Sequence, residues 1–131
     1  METEAQLTRE FEACALPASG FHHREHVRVA WYYLRQLTYQ EAVRRMLLSV
    51  RTFADFNGAA SKYHHTLTVA WMRLVAAALA SRPSDGGFEQ FADAHPGLLD
   101  PATIGLYFSP ERLREEAARS GWMAPDIRPL P

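Results

Sequence analysis

Residues 21–37, FHHREHVRVAWYYLRQL, establish the fold class of this chain. Apolar side chains recur in this segment at steps of three and four, which is the period of an amphipathic helix and not of a strand. The spacing predicts a helix over roughly residues 22–36. The apolar positions that carry this pattern are Val27, Ala30, Trp31, Leu34 and Leu37.

On both sides of this segment the sequence predicts further helices. Thr3 and Thr38 are each followed three residues later by a glutamine or a glutamate, the capping-box pattern that opens a helix. We expect the first helix to run to about Leu16, and the third to stop near the Asn-Gly pair at residues 57–58. Ser61 is expected to cap a fourth, alanine-rich helix.

The remainder of the chain predicts shorter elements. Pro101 and Pro110 each follow a residue that can cap a helix, and proline suits the first helical position. Prolines recur after Trp122, which predicts an extended tail. We therefore expect an all-α, single-domain, up-and-down helical bundle of about four long helices, two or three short C-terminal helices and a proline-rich tail. Residues 1–83 would form the four-helix core, and residues 84–131 the short helices and the tail.

Composition limits the classes of function. The chain has 131 residues, of which 47% are hydrophobic and 22% charged, as in one globular domain. Its formal net charge of -1 lacks the positive balance of a nucleic-acid-binding surface. No apolar run is long enough to span a bilayer, and the acidic start does not resemble an export signal. We expect a cytoplasmic protein without nucleic-acid or membrane partners. A small-molecule ligand and a homo-oligomer are left open.

The histidines suggest a site. Five of the six fall at residues 22–26 and 64–65. At helical spacing, His23 and His26 lie on the apolar face of the second helix, and His64 lies on that of the fourth. Alternate helices of an up-and-down bundle run parallel, so both first turns would lie at the same end. The sequence therefore predicts that three imidazoles meet at one end of the bundle.

Three imidazoles with an open position suit a divalent transition metal such as zinc, iron, copper or nickel. The histidines therefore predict a protein that binds a transition metal and acts on a small molecule. If the metal activates water, the protein would be a metal-dependent enzyme. The sequence does not indicate the reaction class. The alternative is a metal-free helical module, without a cofactor, that binds a small ligand or a protein. A third interpretation makes the histidines packing residues of a polar core. Aromatic side chains that could line a pocket are Trp31, Tyr63, Trp71, Tyr107 and Phe108.

The histidine segments resemble a family of small uncharacterised bacterial helical proteins. Its members share the motifs F-x-H-x-x-H-L, A-W-x-Y-L and K-Y-H-x-T-x-T-x-x-W, and residues 21–34 and 62–71 are similar to them. The resemblance extends to Pro125 and Asp126, over most of the chain, and implies no particular activity. It picks out the same three histidines and treats His22 and His65 as variable. It also singles out Tyr63, Thr66, Thr68 and Trp71, which would either orient the imidazoles or serve as the cap and core of the fourth helix.

Overall fold

The computed structural model describes residues 2–82 and 86–131. Within these residues the chain is helical and forms no strand, so the predicted all-α class is confirmed. No helix in the described residues is both long and apolar enough to cross a bilayer. The chain divides into two compact units, Met1–Tyr63 and His64–Pro131. The boundary predicted between residues 83 and 84 lies outside the described residues.

The first unit consists of three helices that pack on one another in all three pairs. They are α1, Glu4–Glu12, α2, His23–Gln36, and α3, Tyr39–Phe56. Single 3-10 turns lie at Ala18–Gly20 and Ala60–Lys62. The bounds of α2 agree with the prediction. Buried apolar side chains of this unit include Leu7, Phe11, Val27, Val29, Ala30 and Met46.

A buried tyrosine links the three helices of this unit. The hydroxyl of Tyr33 on α2 donates to Glu12 Oε2 at 2.6 Å and lies 3.0 Å from Ser49 Oγ on α3. Arg45 Nη1, also on α3, donates to the same Glu12 oxygen at 3.1 Å. Burial and the neighbouring carboxylate raise the pKa of Tyr33. The phenol therefore stays protonated and keeps its donor role.

The first helix is shorter than predicted because the chain turns at Cys14. The helix ends at Glu12, and Cys14 adopts a left-handed backbone conformation with φ of 55°. The N–H of Cys14 donates to Phe11 O at 3.0 Å and the N–H of Ala15 donates to Glu10 O at 2.8 Å. This pair of bonds is the Schellman motif, in which glycine usually occupies the left-handed position.

The second unit begins with a long helix and continues through short ones. Its longest helix, α4, packs against the last short helix, α7. The α-helices are α4, His65–Ser81, α5, Phe88–Ala94, α6, Pro110–Arg114, and α7, Glu116–Ser120, and 3-10 segments lie at Pro96–Leu99 and Pro101–Leu106.

The starts of these elements follow the prediction in two cases out of three. Asp100 and Ser109 cap the segments at Pro101 and Pro110, as predicted. The fourth helix, however, begins later than predicted, because Ser61 lies in a 3-10 turn and His64 is the N-cap. His64 is therefore not in the first turn of α4 but immediately before it.

The C-terminal tail is anchored on the second unit. The buried hydroxyl of Thr66 on α4 donates to Gly121 O at 2.7 Å and accepts from the N–H of Met123 at 3.0 Å. The ring of Trp122 packs edge-on against Phe108, with ring centroids 6.3 Å apart. The tail is thus held in place by its own chain from its first residues onward.

Further along, the tail is held by the segment before α6. The carboxylate of Asp126 accepts from Ser109 N–H at 2.8 Å and from Ser109 Oγ at 2.5 Å. These two hydrogen bonds lower the pKa of Asp126. The N–H of Ile127 donates to Tyr107 O at 3.0 Å. The predicted extended tail therefore docks along its length on residues of the same unit.

Candidate functional site

His26 lies one turn into α2 against a cluster of phenylalanine rings. Its imidazole packs edge-on to Phe21, with centroids 4.4 Å apart. Phe21 in turn stacks on Phe11 at 4.2 Å, and Phe53 of α3 lies 5.2 and 5.3 Å from these two rings. The imidazole therefore adjoins an aromatic cluster on one side.

This environment keeps His26 uncharged. Burial, and secondarily the electrostatic effect of the neighbouring His23, lower the pKa of His26 to about 4. At neutral pH the imidazole is therefore neutral and carries a lone pair on one nitrogen. None of the described residues forms a hydrogen bond with the ring nitrogens of His26. The lone pair is thus not taken up by a donor of the described chain.

His23 occupies the first helical position of α2, directly after the N-cap, His22. The carboxylate of Glu25 accepts from the N–H of His22 at 2.8 Å, which fixes the start of the helix. Residues three apart on a helix are neighbours on its surface, so His23 and His26 lie side by side. The structure therefore brings together two of the three histidines predicted for the site.

His64 has a different environment, within the second unit. Its side chain is buried and both ring nitrogens are bonded. Nδ1 accepts from the N–H of Leu67 at 3.1 Å, and Nε2 lies 2.8 Å from Leu113 O. Since a carbonyl can only accept, we assign the proton to Nε2. The lone pair of Nδ1, which a metal would need, is already used to cap α4.

The two threonines of the predicted orienting set and Tyr107 have backbone partners. Thr66 anchors the tail through Gly121 and Met123. Thr68 Oγ1 donates to His64 O at 2.9 Å, one turn back along the chain. The carbonyl of Tyr107 accepts from the tail. The recorded partners of all three residues are therefore backbone groups, and their role beside an imidazole stays a prediction.

Two aromatic residues of the predicted pocket, Trp31 and Tyr63, lie beside arginines. The guanidinium of Arg35 lies 4.9 Å from the ring centroid of Trp31, and that of Arg51 lies 4.6 Å from the centroid of Tyr63. Burial raises the pKa of Tyr63 although Arg51 opposes this shift. Trp71 is half-buried on α4. Cation–π contacts of this kind stabilise surfaces and do not by themselves indicate a pocket.

The three predicted ligands belong to different units. His23 and His26 lie in the first and His64 lies in the second. Within residues 2–82 and 86–131, no group of three or more His, Cys, Asp or Glu side chains is arranged to hold a metal ion. The three-histidine centre therefore stays a prediction, whereas the pair on α2 is a feature of the structure.

The phenylalanines around His26 were not in the predicted site. Phe11 and Phe53 follow the apolar spacing of their own helices, so the sequence assigns them to the core. Phe21 precedes α2 outside any helical pattern. Only the packing of α1, α2 and α3 shows that Phe11 and Phe21 adjoin the imidazole and that Phe53 completes the cluster behind them. The signal available in the sequence was the aromatic residue directly before the histidine segment.

Comparison of the chain with family models, curated proteins and solved structures finds no match. The family resemblance drawn from the histidine motifs therefore stays a prediction. The chemistry of the α2 histidines is what remains to support a functional assignment.

Proposed function

We propose that this chain binds a divalent transition metal through the imidazoles of His23 and His26 at the start of α2. The observation that carries the proposal is the uncharged state of His26, whose pKa burial lowers to about 4. Imidazole ligates a metal only in its neutral form. A second imidazole one turn away supplies the other ligand, and zinc, iron, copper and nickel accept such nitrogen ligands.

Two protein ligands leave coordination positions for water or a small molecule. A transition metal bound there would lower the pKa of a bound water and polarise a carbonyl or phosphoryl oxygen. The site would then act on a small molecule as a metal-dependent enzyme. The aromatic rings beneath His26 would shield one side of its imidazole from water, which strengthens electrostatic interactions in the site.

In this proposal His64 is a structural residue. Its two ring nitrogens are bonded to Leu67 N–H and to Leu113 O. For His64 to serve as a third ligand, as the sequence predicts, one of these hydrogen bonds has to break. The two-histidine and three-histidine sites therefore make different predictions for a substitution at His64.

The test is metal content and affinity of the full chain, stripped with a chelator and reloaded with zinc, nickel or copper. We expect about one equivalent of metal. The variants His23→Gln and His26→Gln should lose it, while His64→Gln should keep it. His95→Gln is the matched control, because His95 lies outside the pair, with its ring 5.0 Å from that of Phe91.

Two other outcomes have definite meanings. Loss of metal in a folded His64→Gln variant would favour the three-histidine site over the pair. Absence of binding in the unsubstituted chain would reject metal binding altogether. Circular dichroism of each variant shows whether its helices are retained.

The second candidate function is a protein-interaction module without a metal. It is favoured by two large apolar side chains on α3, Leu48 and Phe56, which remain 62% and 70% exposed. In that case metal ions would leave the thermal stability of the chain unchanged.

A further inference from the structure

The longest helix of the first unit exposes an apolar face. Leu48, Thr52 and Phe56 follow one another at steps of four along α3, so they lie on one side of the helix. Leu48 and Phe56 are 62% and 70% exposed, and Thr52 between them is exposed as well. We call these three residues the α3 stripe. Two large apolar side chains on one helix face mark a surface that a partner could cover.

Opposite charges lie along one flank of the α3 stripe. Arg51 and Asp55 are both exposed and both lie on the flank away from Phe56. The guanidinium of Arg51 also lies over the ring of Tyr63, 4.6 Å from its centroid, which restricts its position. The flank therefore offers a positive and a negative group four residues apart, and the exposed Arg44 lies on the same flank two turns before Arg51.

We propose that the α3 stripe is a contact surface for a second copy of this chain, with the two α3 helices antiparallel. A two-fold axis through Thr52 would set Leu48 of one copy against Phe56 of the other. The same rotation repeats this contact, so both large apolar side chains are covered by one arrangement. Such self-complementarity is the requirement for a two-fold interface between identical chains.

The charges fit the same arrangement. A two-fold rotation places the Arg51 flank of one α3 helix beside the Arg51 flank of the other. Asp55 of the second copy then lies within two residues, or about 3 Å along the axis, of the position of Arg51. The pair of Arg51 and Asp55 forms twice, once on each side of the axis. Opposite charges at such a contact fix the register more than they add affinity.

The size of the surface sets the strength of the contact. Stable interfaces cover about 800 Å² on each partner. The α3 stripe spans only residues 48–56, which is about 12 Å of helix. The dimer should therefore be reversible and form only at high protein concentration.

The test is sedimentation velocity of the full chain over a wide range of concentrations, with a chelator present so that no metal bridges two copies. We expect the sedimentation coefficient to rise with concentration. Leu48→Glu and Phe56→Glu should abolish this rise and leave the unfolding midpoint unchanged. Leu106→Glu is the matched control, since Leu106 is an exposed leucine of the second unit, and it should still associate.

A charge exchange tests the register. Arg51→Asp and Asp55→Arg should each weaken association, because each places like charges together. The double variant restores opposite charges and should recover the association of the unsubstituted chain. Weakening at raised ionic strength would accompany this pattern.

Three results would overturn the proposal. The first is a chain that stays monomeric at every concentration, and the second is equal loss of association in Leu106→Glu. The third is Phe56-dependent binding of a monomeric chain to vesicles of anionic phospholipid, which would make a lipid surface the occupant.

Discussion

Cys14 holds a backbone conformation that is uncommon for any residue with a side chain, with φ of 55°. A Cβ atom in the left-handed region clashes with the backbone, whereas glycine adopts this region freely. We predict that Cys14→Gly raises the free energy of unfolding by up to about 1 kcal/mol. Urea unfolding of the two proteins measures the difference.

Gly58 provides the opposite substitution. It ends α3 with φ of 67°, and a Cβ atom added there would meet nothing within 4 Å. Gly58→Ala should therefore lower the free energy of unfolding by about 1 kcal/mol through backbone strain alone. If both substitutions change stability in the same direction, strain is not the cause at Cys14.

The pKa of His26 makes the stability of the metal-free chain depend on pH. The group titrates near 6.5 when unfolded and near 4 when folded, so the unfolded chain binds the proton more readily. The stability that neutral His26 contributes to the folded chain is complete above pH 6.5 and is lost as the pH falls towards 4. Between about pH 7 and pH 5 the chain should lose about 1–2 kcal/mol of stability.

Urea unfolding at both pH values, with a chelator present, measures this loss. His26→Gln should reduce it substantially, whereas His95→Gln should leave it unchanged. An equal loss in the His26 variant would place the titrating group elsewhere.

At the scale of single helices, the sequence predicts the interior of each element better than its ends. The Asn-Gly stop of α3 was predicted correctly, because Gly58 has the left-handed conformation that this pattern favours. The end of α1 was predicted wrongly, because nothing in the sequence marks Cys14 for that conformation. The start of α4 was missed because histidine is an unusual N-cap, although its Nδ1 can accept from the backbone as an asparagine oxygen does.

The N-cap of α4 yields a prediction at this scale. His64→Ala removes the acceptor for Leu67 N–H and the donor to Leu113 O. A lost cap costs about 1 kcal/mol and an unpaired, partly buried carbonyl about as much again, so we expect a loss of about 2 kcal/mol in unfolding free energy.

His64→Asn serves as the partial rescue. Asparagine can cap the helix but is too short to replace the bond to Leu113, so its loss should be about half as large. Equal losses in the two variants would mean that the cap contributes nothing. Thermal and urea unfolding give the comparison.

At the scale of the whole chain, the candidate site could be predicted only in part. The pairing of His23 and His26 follows from spacing along one helix, and the structure confirms that they are neighbours on α2. The bonding of His64 depends on a carbonyl 49 residues away. The tail is likewise fixed by contacts between residues more than 50 apart. Periodicity carries no information on such contacts, because it describes only the local face of a helix.

These long-range contacts predict that one hydroxyl stabilises the second unit disproportionately. Thr66→Val keeps the shape of the side chain but leaves the carbonyl of Gly121 and the N–H of Met123 without their partner. We expect a loss of about 2–3 kcal/mol in the free energy of unfolding. The amide of Met123 should also exchange with solvent faster.

Thr68→Val is the matched control two residues along α4. Its hydroxyl donates only to His64 O of the adjoining turn, a carbonyl that also accepts from the N–H of Thr68 and so stays paired. This substitution should change the free energy of unfolding by no more than about 0.5 kcal/mol. A loss at Thr68 equal to that at Thr66 would show that the cost is general to hydroxyl removal in α4. A larger loss at Thr66, with faster exchange at Met123, would establish that the tail stabilises the second unit through this one side chain.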